Sequence, residues 1–204
     1  MLFRSQRCEW SSPESMNIPF IGARHFTAGR GGNKPRLIVI HTMETPENNG
    51  RAYQVAQWFA GTSSPQASAH YMVDNAEVYQ SVKEEDTAWA VDDFGLNQQS
   101  ISIEHAGYAS QSPTQWQDSY SKAELTLSAG LAAQIAARWS IPAVKLSPAD
   151  ILAGKSGFCG HADITAAKKI AGGHTDPGVS FPWDIYLTAV KAAMVHSSGG
   201  TSHP

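Results

Sequence analysis

Residues 37–40, Leu-Ile-Val-Ile, form a continuous apolar run rich in β-branched side chains, between Pro35 and a polar stretch at 42–49. Such a run predicts a strand covered on both faces. His41 then stands at the strand's C-terminal end, where open α/β sheets tend to place their ligands. Residues 100–105, Ser-Ile-Ser-Ile-Glu-His, instead alternate polar and apolar. A second strand follows, with Ser102 and Glu104 on one face and His105, read as structural, on the other. Two further runs, 69–74 and 77–82, flank Asn75-Ala76 and predict a β-hairpin.

Helical spacing takes over elsewhere. Ala52, Val55, Ala56 and Phe59 make a stripe over 51–60, stopped by Gly61. The longest helix spans 122–139, opened by a capping box of Ser121 with Glu124 and ended by Ser140-Ile-Pro142. A loop over 107–117 precedes it, with Trp116 expected at the surface. A short alanine-rich helix over 164–171 is expected to be capped by Asp163 and ended by Gly172-Gly173. Pro182 suits the first position of a terminal helix. Strands and helices interleave, so the fold class is α/β, with a central mixed β-sheet flanked by α-helices. Residues 1–34 read as an irregular arm packed on one domain over 35–196, and 197–204 as a Gly/Ser tail or linker stub.

Composition narrows the function classes. With 204 residues, 42% of them hydrophobic, the chain can bury one sizeable core. Its formal net charge is −3 and its basic residues are dispersed. Neither a nucleic-acid backbone nor an anionic membrane surface is therefore an expected partner. Cys8 and Cys159 are too few for a disulfide framework, and a single bridge between them stays open. The basic N-terminus has no apolar stretch behind it, so no secretory signal is visible and synthesis in the cytoplasm is expected.

The stretch 158–183, FCGHADITAAKKIAGGHTDPGVSFPW, is unlike ordinary core sequence. It sets His161, His174 and Asp176 among glycines and a Pro-Gly turn. With His41, two imidazoles and a carboxylate from separate segments can supply three protein ligands to a catalytic zinc, leaving one position for water. Cys159 and Asp163 compete for the same role, although a buried thiol and a helix cap are the commoner fates of such residues.

Five motifs in order, Val39-Ile-His-Thr42, Ser68-Ala-His-Tyr71, Ser100-Ile-Ser-Ile-Glu104, Gly160-His-Ala-Asp163 and His174-Thr-Asp-Pro-Gly178, are together specific. They resemble the zinc-dependent N-acetylmuramoyl-L-alanine amidases, a family that includes phage lysozyme-like amidases and peptidoglycan recognition proteins. The resemblance runs from about Ile38 to Trp183. It implies a recognition-protein-like fold, with a groove over Zn²⁺ that holds a glycan-peptide strand of peptidoglycan. It places His41, His161 and Asp176 on the metal ligands, Glu104 on the acidic residue that is the general base in one branch of the family, and His174 where many members have an oxyanion-steadying lysine. Ala90 stands where many relatives have a histidine, and the 161–174 spacer is longer than usual. His70 matches a groove-side motif and fits a core position equally well.

The activity implied is hydrolysis of the amide between N-acetylmuramic acid and L-alanine, by a monomeric phage endolysin made in the host cytoplasm and acting on the wall. Two other readings stay open. One is a recognition module without catalysis, and the other a cytoplasmic amidase acting on anhydro-muropeptides.

Overall fold

The computed structural model describes residues 17–198. The first part of the arm, with Cys8, and residues 199–204 of the expected tail lie outside them. Elements follow as β1 (Phe26–Thr27), β2 (Leu37–Thr42), α1 (Arg51–Ala60), β3 (Tyr71–Val73), β4 (Val78–Gln80) and β5 (Thr87–Ala88). Next come α2 (Phe94–Asn97), β6 (Ser100–His105), a 3₁₀ turn (Gln115–Gln117), α3 (Ser119–Trp139) and α4 (Pro148–Leu152). β7 (Gly157–Gly160), α5 (His161–Lys168) and α6 (Trp183–Ser198) complete the chain.

The five-stranded sheet has the order β4-β3-β6-β2-β7. All its pairings are parallel except the β3–β4 hairpin, so the sheet is mixed, as expected from the hairpin. Every β2 residue is buried, because helices cover both sides. Ile38, Ile40, Ile101, Ile103 and Phe158 face α3 and α6 in the largest apolar cluster. Leu37, Val39 and Cys159 point the other way, onto Ile151 of α4 and Ile164 of α5. Met72 packs with Val55, Ala56 and Phe59 of α1. The alternation therefore carries His41 and Glu104 to the face shared with α1 and α5. His105 goes to the opposite face, where Nε2 meets Ser128 Oγ at 2.6 Å.

Local chemistry differs from expectation at several ends. α3 is capped by Asp118, whose carboxylate accepts from Ser121 N–H, rather than by a Ser121–Glu124 box. Glu124 is instead drawn into the core, where Oε1 accepts the Ala106 N–H at 2.7 Å. Trp116 is buried, not exposed, because its ring packs edge-on against Phe181 with centroids 5.1 Å apart. α5 begins three residues before 164, with the Asp163 carboxylate turned back to accept the Gly160 N–H at 2.7 Å. Gly61 ends α1 in an extended conformation, φ −68°, so no left-handed cap is needed there.

The described part of the arm bonds to the domain. Ile21 and Ala23 donate their N–H groups to the carbonyls of Gln80 and Ser81. Buried Arg30 donates to the carbonyls of Glu84, Gln98 and Ser100. Burial lowers its pKa to about 10, yet the guanidinium stays charged at neutral pH. His70, buried beside it, takes the Ser102 N–H on Nδ1 and is a core residue away from the site.

Candidate metal centre and groove

Three segments bring the candidate ligands together. His41 ends β2, His161 opens α5 immediately after β7, and Asp176 lies on the following loop. Two backbone features lock the last two. The Ala162 N–H donates to the Asp176 carbonyl at 2.9 Å. Gly160 lies so close to Pro177 that a Cβ there would fall 2.5 Å from the Pro177 ring. The loop is braced from behind as well, since Gly178, at φ +89°, sits against the Ala109 carbonyl.

In the resulting cluster the Asp176 carboxylate faces both imidazoles, with Oδ2 3.0 Å from His41 Nδ1 and Oδ1 3.4 Å from His161 Nδ1. All three side chains are buried, and their potential ligand atoms lie within 4.8 Å of one another. Burial holds the His41 imidazole below its ordinary pKa, favouring the neutral, coordinating form. Burial alone would raise the Asp176 carboxyl. The His161 and His41 rings outweigh it and hold the group well below the usual carboxylate range. Two imidazoles and an ionised carboxylate are the donor set that a divalent transition metal takes. The residues present fit such an ion.

Cys159 and Asp163 are occupied elsewhere. The thiol is buried in the apolar cluster under β2, and burial pushes it up to about 12. Asp163 accepts from Lys145 Nζ at 2.6 Å as well as from Gly160.

Glu104 is the register partner of His41 across β6 and β2. Burial, then the negative charges of Asp176 and Glu44, raises its carboxyl well above the usual carboxylate pKa. That places a proton-exchanging group beside the cluster. Glu44 has φ +50°, uncommon for a residue with a side chain, and is held by accepting from Thr42 Oγ1 and the Ala109 N–H. His174 stacks on His161, with centroids 4.0 Å apart and planes 12° from parallel. Its Nδ1 is 3.6 Å from Asp176 Oδ1 and its Nε2 is 3.8 Å from Asp92 Oδ2.

The cluster floors a groove of about 650 Å³ that runs toward α1, past Arg51, Gln54 and Trp58, with Trp89 on its wall. Beside Ala90, His25 from the arm stacks on Trp89 (centroids 5.8 Å), whose indole N–H donates to Thr27 Oγ1 at 2.9 Å. Sequence reasoning did not single out Glu44, Asp92 or the His25–Trp89 pair. Their positions depend on contacts between distant segments.

This fold and site define an α/β protein, a mixed sheet between helices, around a metal-competent His-His-Asp cluster. The sequence profile of the family described as N-acetylmuramoyl-L-alanine amidase matches residues 31–179, and the chain belongs to that family of enzymes. No curated protein sequence matches it. Among solved structures it is similar to the Staphylococcus aureus hydrolase AmiA in complex with its ligand (16% identity, 93% of this chain and 87% of that one, TM-score 0.65). It is also similar to a mutant endolysin from Bacillus subtilis (18% identity, 85% and 98%, TM-score 0.55). A selenomethionine derivative of AmpD is a further match (20% identity, 90% and 97%, TM-score 0.54). At these identities the likenesses concern the fold. Among the described residues no helix is long and apolar enough to cross a membrane.

Proposed function

We propose that the protein is a zinc-dependent amidase that cleaves the bond between the lactyl group of N-acetylmuramic acid and L-alanine in peptidoglycan, acting as a monomer. The observation that carries this reading is the convergence of His41, His161 and Asp176 at the floor of an open groove, with Glu104 as the neighbour of His41. His41, His161 and Asp176 would hold the ion. A zinc ion bound there supplies a Lewis acid for the scissile carbonyl and brings the pKa of water toward about 7.

The remaining work falls to the chain's own side chains. Glu104 accepts the proton of the attacking water and passes it to the departing alanine nitrogen. His174 donates a hydrogen bond to the carbonyl oxygen as the carbon becomes tetrahedral. The groove wall toward α1 holds the glycan-peptide strand, with Trp58, 53% exposed, offering an aromatic face.

We further infer that the substrate is the wall itself, in phage-driven lysis of a host, a reading that the likeness to an endolysin supports. The test is hydrolysis of purified sacculi beside soluble anhydro-muropeptides, following newly freed L-alanine amino groups with and without chelator. Amine release from sacculi that stops on chelation and returns with zinc supports the reading. Release from soluble muropeptides alone moves the enzyme to a cytoplasmic role, and zinc binding without release leaves a recognition module.

A further inference from the structure

His161 has two ring nitrogens, and the inner cluster accounts for only one of them. Nδ1 faces Asp176, while Nε2 is buried without a partner. A second set of potential ligands meets the same ring. Asp92, His161 and His174 also offer one ligand atom each within 4.8 Å of one another. Unlike the inner group, two of the three are exposed, with 57% of the His174 side chain and 49% of the Asp92 side chain accessible.

We propose that Asp92, His174 and His161 form a second, weaker divalent-metal site at the rim of the groove, and that an ion held there inhibits the enzyme by taking His174 away from the substrate. Nitrogen and carboxylate donors of this kind suit Zn²⁺ or Co²⁺ and leave room for water to complete the coordination shell. Three features make the site the weaker one. It has two exposed members, so bound ions stay partly hydrated. It shares His161 with the inner site. It also needs a rearrangement, because two imidazoles lying parallel at 4.0 Å cannot both point a lone pair at one ion. His174 is exposed, with space to rotate, and its Nε2 already lies 3.8 Å from Asp92 Oδ2. The inhibitory consequence rests on the role proposed for His174, whereas the existence of the site does not.

The test is titration of metal-free protein with Zn²⁺ by calorimetry, and with Co²⁺ by its absorption spectrum, alongside hydrolysis of sacculi at each step. The expected result is two binding events, with hydrolysis rising through the first and falling through the second. Asp92→Asn, an exposed isosteric change, should abolish or weaken the second event by about tenfold or more while leaving the first, and the activity it supports, intact. Asp176→Ala should remove the first event. A single event in the parent protein, or a second event untouched by Asp92→Asn, overturns the proposal. A protein that hydrolyses nothing yet shows an Asp92-dependent second event supports the outer site and overturns the amidase reading instead.

Discussion

His41 and Glu104 are register partners on the parallel strands β2 and β6, so backbone pairing sets the candidate base beside the His-His-Asp cluster. Exchanging the Glu104 carboxylate for an amide leaves that pairing, and the donor set of His41, His161 and Asp176, unchanged. Glu104→Gln is therefore expected to bind zinc with parent stoichiometry and to lose turnover by about 10²-fold or more. Metal analysis beside initial rates on purified peptidoglycan checks this. Parent-like rates in a zinc-replete Glu104→Gln protein would remove the residue from the mechanism.

A glycine two residues from a candidate ligand should matter to metal binding. At Gly178, φ is +89° and an added Cβ would meet the Ala109 carbonyl oxygen at 1.9 Å. Both backbone conformation and space oppose a side chain, and the obstacle is main chain rather than a flexible group. Gly178→Ala must shift the loop that carries Asp176 two residues away. Zinc affinity should fall by about tenfold or more, with stability lowered by roughly 1–3 kcal/mol. Competition with a chromophoric chelator reads the first effect and urea unfolding the second. Unchanged affinity would mean that Asp176 is held independently of this turn.

Much of this plan is legible in the sequence, and the exceptions share a cause. The run Leu37–Ile40 announces a buried central strand because helices cover both its faces. The alternation at 100–105 sorts Glu104 from His105 correctly because one face there is polar. β7, by contrast, is four residues with a glycine at each end, and only its pairing with β2 and with 144–146 on its other side makes it a strand. The Ser121–Glu124 spacing fits a capping box, but Asp118 lies three residues ahead of Ser121 and captures its N–H, while Ala106 claims Glu124. Trp116 sits in a stretch of loop composition, and only the ring of Phe181 reveals that it is core. His41, His161, His174 and Asp176 stand out because chemistry-bearing residues lie at strand ends and among glycines. Asp92 and Arg30 carry no local signal.

Glu124 gives the fold a pH dependence separate from the site. Burial pushes its carboxyl well above the usual range. The Ala106 N–H opposes this, and Glu47, Asp74 and Asp118 reinforce it. A carboxyl raised on folding contributes stability that is fully present below its unfolded pKa of about 4.3. That stability is lost as pH rises through the folded value, at up to about 1.4 kcal/mol per pH unit for one proton. Glu124→Gln keeps an acceptor for Ala106 and removes the titration. Its urea midpoint should fall less than the parent's between acidic and mildly alkaline pH. Parallel curves would show that Glu124 ionises without cost in the folded protein.

Metal binding should also register as stability. Asp176 is buried against His41 and His161, and the cluster is built from three segments that come together only in the folded chain. An ion held there binds the native state alone and stabilises it by RT ln(1 + [L]/Kd), about 2.7 kcal/mol at one hundred times Kd. For a chain of this size that is a rise in Tm of roughly 5–11 °C. Asp176→Ala removes the anionic ligand, and its Tm should hardly respond to zinc at the same concentration. Glu104→Gln, which keeps the donor set, should respond as the parent does. Calorimetric scans of the three proteins with chelator and with zinc therefore separate holding the ion from using it. If Asp176→Ala gains as much Tm from zinc as the parent, the ion is bound elsewhere and the His-His-Asp centre is not its site.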